Sequence, residues 1–381
     1  MTTPTQSPDH DIHHARLDDV QGIEPSPVRP TSSRAQWLAG VGAIVLFAVL
    51  WQVLDLHLAL AVSISYLLFL AAVYLVYRSA GGRRVGLDII VRWLVYGAFT
   101  LAILPLISLL WTVISEGLPV AFSPSFWTED MTGITGLDDQ AYMEGTASLA
   151  GGAGHAIVGT LMITGAATLI SVPIGMFTAI YLVEYGRNNR LSRGIRFMVD
   201  VMTGIPSIVA GLFAFALFVQ ILGPRDAKMG VAGAIALSVL MIPTVVRNSE
   251  EMLRIVPNEL REASLALGVP KWRTIAKVVL PTAASGLASG ITLAIARVIG
   301  ETAPLLVAVG FARNWNLDMM TGPMNSLAVY TYDIFTKPLN PAIIDPSRER
   351  AWAAALLLVL IVVGLNLLAR LIAKLFAPKS R

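Results

Sequence analysis

The chain contains no cysteine among its 381 residues, and it contains few charged residues. The absence of cysteine excludes disulfide frameworks, thiolate metal sites, iron–sulfur clusters and cysteine nucleophiles. Asp, Glu, Lys and Arg together make up 14% of the sequence, against about 25% in ordinary soluble domains. The net charge is +3, from 28 basic and 25 acidic side chains. This excess is too small to indicate nucleic-acid binding.

Apolar residues are abundant instead. They make up 55% of the chain, the mean hydropathy is +0.68, and they fall into long uncharged runs. A helix needs about 20 apolar residues to cross the hydrocarbon core of a membrane. The short alternating segments of a membrane β-barrel are absent. The sequence therefore predicts an all-α polytopic membrane protein with eight spans: Trp37–Leu54, His57–Tyr77, Trp93–Ser115, Ala156–Val183, Val201–Leu222, Met229–Val246, Val278–Ala312 and Ala351–Ala369.

The distribution of Lys and Arg predicts the orientation of these spans. Basic residues concentrate after the second, fourth and sixth runs and at the C-terminus, which places those segments and both termini in the cytoplasm. The connection 116–155 has no Lys or Arg and six acidic residues, so it is predicted to lie outside. The connection 313–350 must also lie outside, although it carries four basic and four acidic residues.

The order of apolar runs and charged connections also divides the chain into segments. His10, His13 and His14 lie in a polar N-terminal stretch rich in Pro, Ser and Thr; incidental histidines are the simpler interpretation, and no metal site is predicted. The glycine-rich connection 116–155 fits either a partner-binding surface or a flexible spacer. The predicted segments are a disordered cytoplasmic tail (1–36), an extra transmembrane hairpin (37–77), an Arg-rich cytoplasmic linker (78–92) and a six-span core (93–376).

The connection 247–281 is longer and more helical in pattern than a plain link between spans. Leu260, Ala263, Ser264 and Leu267 recur at three- and four-residue spacing, which predicts a short amphipathic helix over 259–267. Gly268 is placed to end it as a C′ glycine. Such a helix could lie on lipid headgroups. Its small residues and mixed charges favour docking against another protein.

The same stretch resembles the EAA loop of the permeases of ABC importers. The pattern is carried by Glu262-Ala263-Ser264, then Gly268, then Leu280-Pro281, with Ser264 and Val278 as mild departures. The resemblance implies a coupling helix that docks into a cleft of a cytoplasmic ATPase subunit. No G-x-x-x-x-G-K-[ST] phosphate loop occurs in the chain. We therefore expect no cofactor in this chain, with ATP and Mg²⁺ used by a separate ATPase.

One predicted span contains charged residues, Arg297 and Glu301. They are four residues apart, so a continuous helix would present them on one face. A charge at mid-membrane costs at least about 2.5–3.5 kcal/mol, so such residues face a bundle interior or an aqueous path. The two could simply neutralise each other, or Arg297 could handle an anion. Thr203 and Ser207, which flank Pro206, are second candidates for such a path.

Three further stretches resemble the phosphate-uptake subfamily of these permeases: ARVIGETAPLL (296–306), GIPSIVAGLF (204–213) and MNSLAVYTYDIF (324–335). The resemblance implies roles for Arg297 and Glu301 in phosphate transport across a bacterial inner membrane. It also implies four partners: a homologous sister permease, two copies of an ATPase subunit, an extracytoplasmic phosphate-binding protein and inorganic phosphate. A permease for sulfate, molybdate or phosphonate remains an alternative. A stand-alone secondary transporter is less favoured because no pair of similar halves is seen, and enzyme motifs are absent.

Overall fold

The computed structural model describes residues 33–186 and 189–376. Most of the predicted tail 1–36 therefore lies outside the described residues. The chain divides into two compact units, one ending at Ser108 and one beginning at Leu109. Each is helical in its described part, where the single β-bridge joins Asn340 and Ile343.

The first unit contains α1 (Ser33–Ala48), a π-helical turn (Val49–Val53) and most of α2 (Leu58–Ala121). At Gly82, φ is 81° and ψ is −179°, and the chain reverses there because only glycine adopts this conformation cheaply. The halves of α2 then run antiparallel: Tyr66 donates its hydroxyl proton to the carbonyl oxygen of Trp93 at 2.6 Å. The predicted linker 78–92 is helical on both sides of Gly82, and the chain reverses within it.

The second unit begins within α2 and contains twelve further helices. A π-helical turn, Tyr181–Tyr185, follows α5, and another, Ile275–Val279, precedes α11. The second turn lies just before Pro281, which has no N–H to donate to the helical hydrogen-bond ladder. The helices are α3 (Pro124–Thr128), α4 (Gly136–Met143), α5 (Gly154–Ile180), α6 (Arg190–Thr203), α7 (Ser207–Leu222), α8 (Gly230–Ile255), α9 (Asn258–Ala266), α10 (Lys271–Thr274), α11 (Leu280–Ile299), α12 (Ala303–Ala308), α13 (Leu327–Thr336) and α14 (Asp345–Phe376).

Six described helices are long and apolar enough to cross a membrane, or seven if α6 and α7 form one bent span. The difference from the predicted eight arises because two predicted runs, 57–77 and 93–115, both lie in α2. Two predicted spans are also interrupted. The run Val201–Leu222 is bent by 104° between α6 and α7, and the run Val278–Ala312 is broken between α11 and α12.

The core of the second unit forms where α5, α8, α11 and α12 meet. Ile163, Leu237, Val298 and Leu305 are all nearly inaccessible there. Small residues allow close approach of the helices. An added Cβ at Gly175 of α5 would lie 2.6 Å from Val245 of α8.

At one end of this bundle, residues 122–153 and 313–344 pack together into a structure that we call the cap. The backbone N–H of Met131 donates to the carbonyl of Arg313 at 2.9 Å. Gly152 lies against three backbone carbonyls, and an added Cβ would come within 2.7 Å of the oxygen of Ser125. The glycine run therefore permits close packing, and the flexible-spacer interpretation of 116–155 is wrong for this part of the segment.

A buried ion pair joins the cap to α14. Arg350 donates from Nη2 to Oδ1 of Asp139 at 2.6 Å and from Nε to the carbonyl of Ala150 at 3.0 Å. Both charged side chains are fully inaccessible. Ser347 adds a hydrogen bond of 3.3 Å to the other oxygen of Asp139. This network fixes the cap on the end of the bundle.

Candidate functional site

A cavity of about 240 Å³ lies beside the bend between α6 and α7. Thr203 is the last residue of α6 and Ser207 the first of α7, so the 104° bend brings both to the cavity wall. Pro206 has φ −57° and ψ 137°, outside the helical region, at the start of α7. The polar and charged residues in the wall are Thr203, Ser207, Thr244, Arg297 and Glu301. The four residues selected from the sequence as path candidates thus line one cavity.

Arg297 lies in the last turn of α11 and is exposed. A cation at this end of a helix interacts favourably with the helix dipole. Its Nη1 donates to Oγ1 of Thr244 at 3.5 Å, which is at the outer limit for a hydrogen bond. The guanidinium has five N–H donors, so most of its donating capacity is available to a ligand.

Glu301 does not occupy the predicted position on the same helix face. The helix α11 ends at Ile299, and the N–H of Glu301 turns back to the carbonyl of Val298 at 3.1 Å. Gly300 stops the helix, and Pro304 in the first turn of α12 disfavours helical conformation just before it. Among the described residues no ion pair within 4.0 Å joins Arg297 and Glu301. The structure therefore lacks the i,i+4 ion pair that was one of the two alternatives, although both side chains line the cavity.

The arrangement places one cation, one carboxylate and three hydroxyl groups around a small space. The N-terminus of α7, which has no side-chain cap, also lies at the wall. The partial positive charge of a helix N-terminus favours anions. A cavity with these groups can bind an oxyanion that both accepts hydrogen bonds and donates one.

The second candidate site is the 247–281 loop, at the end of the bundle opposite the cap. The helix α9 ends as the sequence predicted, with Gly268 at φ +72°. Glu262 and Ala263 are exposed, and Ser264 is half-buried with its hydroxyl 2.9 Å from that of Thr274. Leu260 is 42% exposed and Leu267 is 83% exposed. The apolar face of α9 thus lies on the surface of the chain.

Leu280 and Pro281 start α11. They lie beyond the π-helical turn, away from α9 along the chain. Leu280 is half-buried and Pro281 exposed. They therefore shape the return of the chain into the bundle, and the exposed face of α9 is formed by the earlier residues of the motif.

Sequence reasoning missed the buried anchor of this loop. Arg261 is 8% exposed, and its Nε donates to Oε1 of Glu184 at 3.0 Å. Its Nη2 donates to the carbonyl of Leu253 at 2.7 Å, and Nη1 donates to that of Val256. In the sequence Arg261 is one of several charges of mixed sign, and no local signal marks its partner, which is 77 residues away.

Comparison with known proteins gives consistent results. A family profile described as "Binding-protein-dependent transport system inner membrane component" matches residues 171–381. The "Phosphate transport system permease protein PstA 1" of Mycobacterium tuberculosis (strain CDC 1551 / Oshkosh) is 47% identical over 277 residues, covering 73% of this chain and 85% of that protein. The PstA of Mycobacterium leprae (strain TN) is 43% identical over 71% of this chain and 84% of its own length.

One further relative and one solved structure also match the chain. The PstA of Pasteurella multocida (strain Pm70) is 41% identical, covering 65% of this chain and 85% of that protein. Among solved structures, an inward-facing form of the MetNI methionine ABC transporter matches with a TM-score of 0.46 at 21% identity. It covers 58% of this chain and 94% of that one.

Proposed function

Since the chain belongs to the family of inner membrane components of binding-protein-dependent transport systems, we propose that it is a PstA-type permease subunit of an ATP-driven phosphate importer. It forms half of the translocation path and hydrolyses no ATP itself. Relatives that are 41–47% identical over about two thirds or more of the chain carry phosphate-transport names, which supports this substrate class.

The observation that carries the proposal is the cavity shared by Arg297 and Glu301. The two residues are not paired with each other in the described structure, so both can address a ligand. Arg297 offers a planar fork of donors suited to oxyanion oxygens. The exposed position of Arg297 leaves room for a second wall, which we assign to the homologous sister permease.

Glu301 favours phosphate over sulfate. A carboxylate is an acceptor only, and near neutral pH phosphate carries a proton that it can donate, whereas sulfate carries none. Glu301 also limits how tightly an anion is held at Arg297, which allows release. A permease for another protonated oxyanion, such as a phosphonate, is the second candidate.

The orientation follows from the charge of the connections. The break of α2 at Gly82 separates two spans, and the α6–α7 pair adds another, which together give eight spans with both termini in the cytoplasm of a bacterial cell. The exposed face of α9 then docks on one of two ATPase copies, where ATP and Mg²⁺ are used. The cap lies outside, where an extracytoplasmic phosphate-binding protein delivers its ligand.

The test is radiolabelled phosphate uptake by cells that express the chain, its sister permease, the ATPase and the binding protein. A charge-assisted hydrogen bond contributes about 1.5–3 kcal/mol. The Arg297→Gln variant loses two such bonds to phosphate, so its uptake should be lower by roughly 100-fold or more. The ATPase should still co-purify. Arg225→Gln, in an exposed loop, is the control and should transport normally.

Competition separates phosphate from other oxyanions. Arsenate, which is also protonated, should block uptake and sulfate should not. Glu301→Gln should weaken this discrimination, because an amide can donate to sulfate. Normal uptake by Arg297→Gln, or equal competition by sulfate in the unmodified chain, would contradict the proposed site or the proposed substrate, respectively.

A further inference from the structure

The helix α5 and its terminal π-helical turn run from the cap to the 247–281 loop. Together they form one apolar helix of 32 residues, Gly154–Tyr185, about 48 Å long at about 1.5 Å per residue. This exceeds the roughly 30 Å hydrocarbon core of a membrane. The same helix therefore contacts structures at both ends of the bundle.

At the lower end, two residues of the 247–281 loop hold a single residue of the π-helical turn that ends α5. Arg261 of α9 pairs with the carboxylate of Glu184, and the two side chains are 9% and 5% exposed. Lys271 of α10 donates from Nζ to the backbone carbonyl of Glu184. Its ammonium also lies 4.9 Å from the centre of the Tyr185 ring. The loop is thus fixed to α5 on both sides of Gly268.

Arg261 also connects α5 to α8. Its Nη groups donate to carbonyls of Leu253 and Val256 at the C-terminal end of α8. These carbonyls belong to the last turn, which lacks partners within the helix. One buried guanidinium therefore joins α5, α8 and α9, and pulling α9 away from α5 would leave opposite charges buried and unpaired.

At the upper end, α5 is held by the cap. Thr160 accepts a hydrogen bond of 2.8 Å at Oγ1 from the backbone N–H of Leu327. The side chains of Asn325 and His155 approach to 3.3 Å. Added Cβ atoms at Gly154 and Gly159 would lie 2.5 Å and 2.0 Å from carbonyl oxygens of the cap. The backbone of α5 therefore packs directly against the backbone of the cap.

From these contacts we propose that Glu184, Arg261 and Lys271 clamp the 247–281 loop to α5, and that α5 transmits displacement of this loop to the cap. Arg261 is a positioning residue: it touches neither phosphate nor ATP. This inference rests on the proposed function, because an ATPase supplies the displacement. It adds a connection from the coupling helix to the outer face that runs along α5, beside the contacts that Arg261 makes with the end of α8.

The first experiment measures phosphate imported per ATP hydrolysed. The full complex, with sister permease, ATPase and binding protein, is reconstituted in proteoliposomes. In Arg261→Gln the ATPase should remain bound and hydrolyse ATP, while the ratio of phosphate to ATP falls about tenfold or more. Arg92→Gln removes an exposed arginine that pairs with Asp88 and should keep the original ratio. An unchanged ratio in Arg261→Gln would overturn the proposal.

A second variant guards against misfolding caused by the single change. Glu184→Gln with Arg261→Gln leaves no unpaired charge and retains polar groups of similar size. An assembled double variant with a low ratio supports the clamp. An assembled double variant with the original ratio refutes it.

The second experiment reads movement at the cap directly. Because the chain has no cysteine, Leu137→Cys introduces a single thiol at an exposed position of α4. Its reaction rate with a membrane-impermeant thiol reagent should change about threefold or more between the resting and the vanadate-trapped complex. That change should vanish when Arg261→Gln is added. If Glu184, Arg261 and Lys271 are intact and the thiol at position 137 reacts at the same rate in both states, the proposed role of α5 is overturned.

The two measurements also separate this inference from the proposed function. If the complex hydrolyses ATP but imports no phosphate, the substrate assignment fails. The thiol measurement still decides whether displacement of the 247–281 loop reaches the cap.

Discussion

Asp139→Asn should loosen the cap without unfolding the membrane helices. Asp139 and Arg350 are both inaccessible, and the change leaves the guanidinium of Arg350 buried without a counter-charge. The hydrogen bonds of Arg350 to Ala150 and of Ser347 to position 139 do not replace that charge. The affected contact joins α4 to the second turn of α14, so the effect should concentrate in the cap.

The size of the destabilisation follows from the burial of the Asp139–Arg350 ion pair. Removing one partner of a fully buried ion pair costs about 3–5 kcal/mol. Local opening of the cap should then become roughly 150- to 5,000-fold more frequent, since about 1.4 kcal/mol corresponds to a factor of ten. By comparison, Glu144→Gln removes the charge of an exposed side chain whose Oε1 accepts a hydrogen bond from Gln140, and a surface charge of this kind contributes about 1 kcal/mol or less.

Hydrogen exchange followed by mass spectrometry measures this opening. Peptides covering α4 should exchange faster in Asp139→Asn by at least two orders of magnitude, while peptides from the middle of α5 and α8 should exchange as before. Glu144→Gln should change α4 by less than about fivefold. Exchange of α4 within threefold of the unmodified chain would refute the reasoning, because it would mean that Arg350 finds water or another partner at no cost.

Two other predictions concern the 247–281 loop and the cap. Gly268→Ala forces a Cβ into the φ +72° conformation, at a cost of about 1 kcal/mol or more, and should weaken co-purification of the ATPase roughly fivefold; Gly194→Ala, in open space within α6, should have no such effect. Burial alone would raise the pKa of Asp130, but hydrogen bonds from Thr132 and from the N–H of Trp315 outweigh it and hold this pKa below its ordinary value. The stabilisation is therefore complete above the ordinary value of about 3.9 and is lost as the pH falls through the folded-state pKa. The difference in melting temperature between the unmodified chain and Asp130→Asn should stay constant from pH 7 to 5 and should disappear below pH 4.

Local chemistry made part of the site predictable from the sequence. Gly268 was predicted to end α9 because a helix followed by glycine commonly adopts a left-handed terminus, and its φ of +72° confirms this. Arg297 and Glu301 were selected because charges within apolar runs are costly. Both line the same cavity as Thr203 and Ser207.

Features that depend on backbone geometry or on distant partners could not be predicted in this way. Hydropathy averaged over a window does not register the helix end at Ile299, because the chain becomes apolar again from Ala303 onward. The pairing of Arg261 with Glu184 depends on how two helices pack across 77 residues of sequence. The reversal at Gly82 could not be predicted either, since an isolated glycine within a helical pattern does not show whether the helix continues or the chain turns.

The exposed leucines of α9 have a consequence for the supply of subunits in the cell. Leu260, Leu265 and Leu267 are 42%, 47% and 83% exposed in the isolated chain. Under the proposed assembly, a copy made in excess of the ATPase carries these side chains into the cytosol, and exposed apolar patches of this kind mark a protein for aggregation or for removal by quality-control proteases. If α9 docks on the ATPase as proposed, exposure of this face marks a subunit that has not bound its partner, and the amount of the complex is set by its scarcest subunit.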